Sequence, residues 1–359
     1  MAQHFYPLVV SNIRRETADC VSIAMRVPSE LREQFLFVAG QYVNVRSRFG
    51  DQEIRRSYSI CSAPASGELR IAVKRVDGGQ FSQWANSLLR EGDLLDTTPP
   101  DGRFRYVPNA SHARRVLLLA AGSGITPMLS ILTTLLETEP LSQVTLIYGN
   151  RRVRDIVFKE SIEDLRDRFL TRFQLIHTLS GEVQESPLAS GRLNAEKLRD
   201  VFSSVVDPAL LSDVYVCGPS EMINECVDAT IAAGVAPPLI HKELFGAPRA
   251  RGESVAVQSA ASNAEEGAKV TVTADGIARQ LHVGFRGESI LEVALAAGID
   301  APFACKAGVC CTCRAQVTEG TVRMDANFTL EQDEIDRGFV LSCQAHPTSP
   351  TVALSFDTR

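Results

Sequence analysis

The chain has 359 residues and a formal net charge of -6, with 45% hydrophobic and 22% charged residues. The length predicts two or three domains, and the composition is that of a globular protein, which excludes disordered and fibrous classes. The acidic balance, without a concentrated basic patch, argues against nucleic acid and against an anionic membrane as partners.

Residues 1–15 show no basic leader followed by an apolar core, so we expect a cytoplasmic protein. The uncharged stretch 116–136 has about the length of a membrane-spanning helix. Gly122, Gly124 and Pro127 interrupt it. This pattern therefore predicts a buried parallel strand followed by the start of a helix, not a membrane span.

An antiparallel β-barrel is predicted for residues 1–110. Short β-rich runs at 8–10, 42–45 and 69–76 are separated by glycine and proline, and one helix is predicted near 81–89. Several short strands without long helices between them are typical of a small barrel.

An α/β domain with a parallel sheet is predicted for residues 111–246. Helical segments alternate with β-rich runs, which is the spacing of βαβ units; the runs lie at 116–120, 144–148, 173–177 and 214–217. The following residues, 247–267, are rich in Ala, Ser, Gly and Glu without apolar periodicity. They are predicted to be a flexible linker.

Residues 268–359 are predicted to form a third domain. Strands at 270–274 and 277–283 precede a helix that begins after Ser289, with Glu292 three residues later as in a capping box. Five of the nine cysteines lie here. Because cytoplasmic thiols stay reduced, these cysteines indicate metal or redox chemistry and not disulfides.

Four of these cysteines have the spacing of an iron-sulfur site. Cys305, Cys310 and Cys313 form a C-x4-C-x2-C loop, and Cys343 follows after 29 intervening residues, which is the spacing of plant-type ferredoxins. Each iron of a 2Fe-2S cluster takes two thiolates in tetrahedral sulfur geometry. Zinc is the alternative, although structural zinc sites usually pair C-x2-C knuckles. Cys311 fits neither ligand position and is predicted to be a small buried spectator.

The third domain resembles plant-type ferredoxin along its whole length, which implies an α+β domain with the β-grasp fold. Thr329 and Gln332 form a second capping-box pattern before a short helix that ends at Gly338. In ferredoxins a comparable acidic helix docks redox partners, but charge alone fits a solvated helix face at least as well. The acidic residues of this helix are Glu331, Asp333, Glu334 and Asp336.

Two motifs in the predicted barrel, 56–59 (RSYS) and 79–82 (GQFS), resemble the FAD barrel of the ferredoxin-NADP reductase superfamily. Arg56 can fork onto a pyrophosphate, and Tyr58 can lay its ring against the isoalloxazine. Backbone N–H groups at the helix start of the second motif can bind phosphate. FMN is the weaker alternative, because that segment suits a second phosphate and adenosine. The FAD contacts implied by the resemblance are Arg56, Ser57, Tyr58, Ser59, Val73, Lys74, Gly79, Gln80, Phe81 and Ser82.

A glycine-rich turn follows the first strand of the predicted parallel sheet. Its G-x-G-x-x-P form, with Thr126 as the helix cap, lacks the third glycine of conventional dehydrogenases but resembles the nucleotide loop of the same reductase superfamily. Arg151, beside Arg152, can pair with a 2'-phosphate, which favours NADPH over NADH, although a strand-end arginine is commonly just solvated. The NADP contacts implied are Gly122, Gly124, Thr126, Pro127, Asn150, Arg151, Cys217, Gly218 and Pro219.

The resemblance also implies three catalytic residues. Ser59 would lie near the flavin N5, Cys217 near the hydride path, and Phe245 would cover the flavin face, at the end of the segment 243–246 that closes the second domain. A strand cysteine is, however, more often part of the packed core.

The order of barrel, nucleotide domain and ferredoxin resembles the reductase subunits of phenylacetyl-CoA epoxidases, the enzymes of aerobic phenylacetate degradation. This implies electron flow from NADPH through FAD and the 2Fe-2S cluster to an oxygenase partner. Reductases of steroid and aromatic-ring hydroxylating oxygenases share the architecture and are the alternative. A non-enzymatic iron-sulfur redox sensor is the alternative of another class, and it leaves the flavin motifs unexplained.

Overall fold

The computed structural model describes residues 4–245 and 267–358. They fall into two compact units, which contain residues 5–245 and 267–358. Within the described ranges, no helix is both long and apolar enough to cross a membrane. The predicted linker 247–267 lies outside the described residues except for Gly267.

Six antiparallel strands and one helix form the first part of the larger unit: β1 (Tyr6–Thr17), β2 (Cys20–Arg26), β3 (Tyr42–Phe49), β4 (Gln52–Ser59), β5 (Leu69–Lys74), α1 (Gln80–Ser87) and β6 (Leu94–Thr97). The strand order is β4-β3-β6-β1-β2-β5. Ile60, just past β4, bridges to Ile71 of β5, and the Cys61 amide donates to the Arg70 carbonyl at 2.9 Å. These bonds join the two outer strands, so the sheet closes into the predicted barrel.

The strands follow from alternation of apolar side chains. Leu8 and Val10 of β1 and Val43 and Val45 of β3 are buried in the barrel, as residues two apart on a strand face the same side. Strands β3 and β4 form a hairpin in which Phe49 pairs with Gln52. Gly50 between them has a φ of +62°, a conformation that the tight hairpin turn requires and that glycine adopts without strain.

The second part of the larger unit is the predicted parallel sheet with its helices: β7 (Arg115–Ala121), α2 (Ile125–Thr138), β8 (Gln143–Asn150), α3 (Lys159–Arg168), β9 (Phe173–Leu179), α4 (Ala195–Ser204), β10 (Asp213–Gly218), α5 (Ser220–Ala232) and β11 (Ile240–Leu244). The order is β11-β10-β7-β8-β9. The strands β8 and β9 follow β7 on one side of the sheet, and β10 and β11 are added on its other side. Ligands of such sheets bind beyond the carboxyl ends of the strands at the point where the order changes direction.

Helix α2 begins earlier than the sequence pattern predicts. The pattern places Thr126 as its cap and Pro127 as its first residue, but the helix begins at Ile125 with Gly124 as the cap. The Thr126 hydroxyl donates to the Ser123 carbonyl at 3.1 Å. A 3-10 turn, Gly122–Gly124, runs directly into the helix, so no separate side-chain cap is used.

The smaller unit has the predicted α+β architecture: β12 (Gly267–Ala274), β13 (Ile277–Gly284), α6 (Ile290–Ala296), β14 (Arg314–Glu319), β15 (Val322–Met324), α7 (Gln332–Asp336), β16 (Phe339–Leu341), β17 (Ala345–Pro347) and β18 (Thr351–Ser355). A mixed sheet has the order β13-β12-β18-β14-β16. The capping box predicted at Ser289 is confirmed, because its side chain and that of Glu292 bond reciprocally to backbone amides. Helix α6 buries Ile290, Leu291 and Ala294 in the core of this unit.

Candidate functional site

The barrel and the parallel sheet contact each other within the larger unit. The Ser130 hydroxyl of α2 donates to the Ser62 carbonyl at 2.6 Å, and the Tyr215 hydroxyl of β10 donates to the Arg105 carbonyl at 3.1 Å. These bonds bring the end of β4 toward the carboxyl edge of the sheet. The predicted flavin motif and the predicted nucleotide loop therefore belong to one site.

Ser59 and Glu243 join the two halves of this site. The Ser59 hydroxyl, at the end of β4, donates to Glu243 Oε2 at 3.3 Å across 184 residues of sequence. Burial raises the pKa of the Glu243 carboxyl to about 8, against the opposing effect of the Ser59 bond. Glu243 therefore holds a proton at neutral pH, and it is a functional candidate that motif reasoning missed.

Cys217 lies beside Glu243, because the two residues pair in register between β10 and β11. Its side chain is fully buried, and burial raises the pKa of its thiol well above the usual value, with the Glu243 charge adding to the effect. The thiol stays protonated. Phe245 follows β11 and is 40% exposed, so its ring is accessible for contact with a ligand.

The glycine-rich turn packs against the end of β10. A Cβ added at Gly124 would lie 2.2 Å from the Cys217 carbonyl oxygen and 2.9 Å from the Gly218 nitrogen. The Gly122 φ of +54° is another position that favours glycine. The Tyr148 hydroxyl donates to the Gly122 carbonyl at 3.0 Å. The turn is therefore fixed at the start of α2, where free N–H groups and the helix dipole favour phosphate.

The remaining predicted nucleotide contacts lie at neighbouring strand ends. Asn150 ends β8 and is nine-tenths buried, and its Nδ2 has no hydrogen-bond partner among the described residues. Arg151 follows with an exposed side chain, and Pro219 caps the N-terminus of α5. A buried amide donor without a partner costs free energy unless a ligand or water satisfies it, so Asn150 fits a nucleotide contact.

The first flavin motif lies along β4. Arg56 is exposed and Tyr58 half-buried, and they share one face of the strand because they are two residues apart. Ser57 points to the other face and donates to Asn44 Oδ1 at 2.6 Å. The Tyr58 ring lies 5.6 Å from the Phe81 ring of α1. An aromatic surface and a charged side chain are thus available together, as a flavin with a pyrophosphate requires.

The second flavin motif starts α1, with Gly79 at the cap. The Ser82 hydroxyl is engaged within the protein, since it donates to the Gly79 carbonyl and accepts from the Val76 amide, both at 3.0 Å. The first-turn N–H groups from Gln80 onward lack intrahelical partners and remain the phosphate donors of this segment.

Two further predicted flavin contacts lie on β5. Val73 is fully buried in the barrel core, and its carbonyl accepts from Asn86 Nδ2 at 2.9 Å. Lys74 is half-buried and its Nζ lies 3.5 Å from Asp19 Oδ2. Val73 is therefore part of the barrel core, and the stem of Lys74 is the part of this pair that can face a ligand.

The four predicted cluster ligands form two pairs of thiols. Cys305 and Cys310 lie within hydrogen-bond reach of each other, and so do Cys313 and Cys343. The Ala307 amide donates to Cys305 Sγ at 3.3 Å. The hydrogen bond from Cys310 and the smaller effects of neighbouring backbone amides lower the pKa of the Cys305 thiol to about 6. Burial acts in the opposite direction. N–H dipoles that favour a thiolate also favour a negatively charged cluster.

The pairing of the thiols is compatible with a 2Fe-2S cluster, which takes two thiolates at each iron. Gly308, with a φ of +74°, lets the loop turn inward, where an added Cβ would lie 3.1 Å from the Ala326 carbonyl oxygen.

Cys311 is half-buried, not buried as predicted. Its φ of +55° is uncommon outside glycine, and its thiol lies 3.0 Å from Thr329 Oγ1, within hydrogen-bond distance. The capping box predicted at Thr329 is therefore wrong: Glu331 caps α7, and Glu334 is its partner. The Thr329 side chain is turned to the cysteine loop and is not available to the helix.

Glu334 also departs from the predicted acidic face of α7. Its side chain is 3% exposed and pairs with Arg314 Nη1 at 2.5 Å. Asp333 is 73% exposed, with a long contact of 3.4 Å to Arg337. Only part of the acidic pattern is thus on the surface, and Glu334 instead fastens α7 to β14.

Three family models match consecutive parts of the chain. The oxidoreductase FAD-binding domain matches residues 7–106, the oxidoreductase NAD-binding domain residues 118–228, and the 2Fe-2S iron-sulfur cluster binding domain residues 272–348. The order and extent of the matches agree with the barrel, the parallel sheet and the smaller unit.

Two curated relatives cover nearly the whole chain. The first is one of the subunits of the 1,2-phenylacetyl-CoA epoxidase of Escherichia coli (strain K12), 42% identical over 99% of this chain and 98% of the relative. The second is the ferredoxin reductase component of the 3-ketosteroid-9-alpha-monooxygenase of Rhodococcus rhodochrous, 32% identical over 97% of this chain and 96% of the relative.

Two solved structures share the fold. Phthalate dioxygenase reductase superposes with a TM-score of 0.59 at 24% identity and covers 98% of both chains. An intact type IV self-sufficient cytochrome P450 monooxygenase superposes with a TM-score of 0.69 at 21% identity, over 98% of this chain and 41% of that longer one. At these identities the likeness concerns the fold, and it agrees with the fold class predicted from the sequence.

Proposed function

This chain belongs to the family of flavin-dependent oxidoreductases with a fused 2Fe-2S domain that serve as reductase components of oxygenases, and on that premise we propose that it passes electrons from NADPH to a phenylacetyl-CoA epoxidase of aerobic phenylacetate degradation. The observation that carries the proposal is the 42% identity with the Escherichia coli protein, which extends over 99% of this chain and 98% of that one. Cofactors of this family are FAD, a 2Fe-2S cluster and a pyridine nucleotide.

Two carriers are needed because hydride donors and iron oxygenases exchange electrons in different numbers. A flavin accepts two electrons as a hydride and gives them up singly, and a 2Fe-2S cluster carries one at a time. The chain's own residues bind and orient these groups. Cys305, Cys310, Cys313 and Cys343 are the proposed cluster ligands.

The flavin is proposed to lie along β4 and the start of α1. Arg56 would bind the pyrophosphate, the Tyr58 ring would pack against the isoalloxazine, and the first-turn amides from Gln80 onward would bind phosphate. Ser59 Oγ and Glu243 Oε2, which lie 3.3 Å apart, would hold a proton between them. This proton would be available to the flavin N5. Phe245 would shield that face from water until the nicotinamide arrives.

The nucleotide phosphates are proposed to lie at Gly122 and Gly124, against the start of α2. Nδ2 of the buried Asn150 would donate a hydrogen bond to the nucleotide, and Arg151 would pair with a 2'-phosphate. Cys217 would line the nicotinamide end as a neutral thiol, because burial keeps it protonated. These contacts favour NADPH.

The domain limits and a cytoplasmic location are proposed as the sequence predicts them.

The test is reconstitution with purified oxygenase components. We expect NADPH oxidation to become dependent on phenylacetyl-CoA when the epoxidase oxygenase is present, and the Cys305→Ser variant to lose that dependence. Rapid reduction of small dyes with no support of the epoxidase would contradict the proposal.

Reductase of a steroid monooxygenase is the second candidate, because the Rhodococcus component is 32% identical over almost all of this chain. The same assay with the oxygenase of that system separates the two. Support of the steroid oxygenase alone would favour this candidate. A redox sensor predicts no steady NADPH turnover in any arm.

A further inference from the structure

The course of the nucleotide across the sheet follows from two fixed ends. Its phosphates belong at the turn after β7, and its nicotinamide must reach Ser59 and Glu243, on the side of the sheet where β11 lies. The strand order is β11-β10-β7-β8-β9. The adenosine half must therefore extend the other way, over the carboxyl ends of β8 and β9.

Two turns are held together at that place. The Ser180 amide donates to the Asn150 carbonyl at 3.0 Å, and the Gly181 amide donates to the Arg151 carbonyl at 2.7 Å. A Cβ at Gly181 would lie 2.8 Å from that carbonyl oxygen. The turn after β9 is thus fixed against the turn after β8, and Glu182 is the residue that follows this contact.

Glu182 is anchored by its carboxylate. Its Oε2 accepts a hydrogen bond from the Val153 amide at 3.2 Å, and the residue is half-buried. No ion pair involves Glu182, Arg151 or Arg152 within the described part of the chain, whereas Arg154 lies 3.9 Å from Asp155. One carboxylate and two guanidinium groups without ionic partners thus border the adenosine side of the site.

These charges act oppositely on the two coenzymes. A ribose 2'-hydroxyl donates a hydrogen bond to a carboxylate, whereas a 2'-phosphate is repelled by it and attracted by arginine. Building on the function proposed above, we propose that Glu182 is a specificity-determining residue that limits the preference for NADPH and keeps NADH usable. Arg151 and Arg152 act in the opposite direction.

The variant Glu182→Gln tests this proposal. Glutamine can still accept from the Val153 amide through its oxygen, so the turn is retained while the charge is removed. Glu185→Gln is the matched control, because Glu185 lies in the same loop, is exposed, and forms no hydrogen bond or ion pair with any residue that the structure describes.

The probes are 2',5'-ADP and 5'-ADP, titrated calorimetrically into the FAD-loaded full chain. We expect Glu182→Gln to shift the ratio of the two dissociation constants by about tenfold in favour of 2',5'-ADP, and Glu185→Gln to leave it within about twofold. With ferricyanide as electron acceptor, kcat/KM for NADPH divided by kcat/KM for NADH should rise in Glu182→Gln by a similar factor, mainly through a change in KM.

The proposed role of Glu182 is overturned if the ratio of the two dissociation constants is unchanged in Glu182→Gln, or if Glu185→Gln shifts it equally. Reduction of the flavin by NADPH in the same protein would leave the proposed function standing. The proposed function is overturned as well if neither ADP probe binds to the unaltered chain and neither NADPH nor NADH reduces its flavin.

Discussion

The position of Gly124 leaves no room for a side chain, and the obstacle is backbone. An added Cβ would lie 2.2 Å from the Cys217 carbonyl oxygen and 2.5 Å from its carbon. Neither atom can rotate away, so the turn and the end of β10 must separate. The proposed nucleotide turn therefore requires glycine for packing, and glycine would also leave its backbone amides accessible to phosphate.

We expect Gly124→Ala to destabilise the larger unit by about 1–3 kcal/mol, as overpacking of a dense interior does, and to weaken nucleotide binding. Thermal unfolding followed by flavin fluorescence measures the first effect. Gly149→Ala is the control, because its nearest atom would be Leu193 Cβ at 3.4 Å. A loss in Gly124→Ala no larger than in this control would contradict the packing argument.

Glu243 gives a prediction for the pH dependence of stability. Its folded pKa is raised to about 8, above the ordinary value of 4.5, so the folded chain holds a proton that the unfolded chain releases. The stabilisation is full below pH 4.5 and is lost as the pH rises toward 8. We expect the melting temperature of the holoenzyme to fall over this range relative to Glu243→Gln, by several degrees. Parallel curves for the two proteins would show that the carboxyl titrates normally.

Single residues differ in how far the sequence reveals them. Three of the four proposed cluster thiols share one loop, so their spacing predicts their chemistry without a structure. Ser59 and Glu243 are separated by 184 residues, and only folding brings β4 to β11. Glu182 has no motif of its own, and its anchoring on the Val153 amide depends on the pairing of two turns.

At the scale of elements, a buried ion pair fixes the C-terminal end of α2. Glu139 is fully buried and accepts from Arg114, from the Ser142 hydroxyl at 2.6 Å and from the Asn109 amide at 2.9 Å. These bonds outweigh desolvation and lower the pKa of Glu139 to about 2. The helix is thereby joined to the segment that leads from the barrel into β7.

We expect Glu139→Gln to cost about 3 kcal/mol at pH 7, since it removes the closer of the two carboxylate partners of Arg114 and leaves Asp213 at 3.5 Å as the other. The native carboxylate contributes stability above pH 4.5 and loses it as the pH falls toward 2, so the variant should lose less stability than the native chain over that range. Denaturant unfolding at several pH values measures both effects. Glu137→Gln, whose partner Arg168 lies at the surface, should change stability by less than about 0.5 kcal/mol; equal losses would contradict the account.

Element types are predictable where local patterns decide them. The apolar run of β7 and the capping box of α6 both have the predicted structure. The start of α7 does not, because Thr329 contacts Cys311 at 3.0 Å and the cysteine loop lies in a different part of the sequence. A tertiary contact there overrides a good local capping pattern.

At the scale of the whole molecule, one chain combines a two-electron acceptor with a one-electron carrier. The domain order was predictable because each domain carries its own motif. Closure of the barrel through the Ile60 and Ile71 bridge was not, since nothing local to either residue marks it.

We expect Cys305→Ser to remove the cluster and retain FAD, because the ligand loop and the flavin site lie in different compact units. NADPH-dependent reduction of ferricyanide should persist, while reduction of cytochrome c or of the oxygenase should fall to background. The visible spectrum checks which cofactor is lost. Full support of the oxygenase by this variant would show that electrons leave directly from the flavin.

An anaerobic titration of the full chain, followed by visible absorption and electron paramagnetic resonance, tests the central claim most directly. We expect uptake of about three electrons per chain, two on the flavin and one on the cluster, with NADPH able to bleach both. A colourless protein with zinc at the four thiolates, or one without bound flavin, would contradict it.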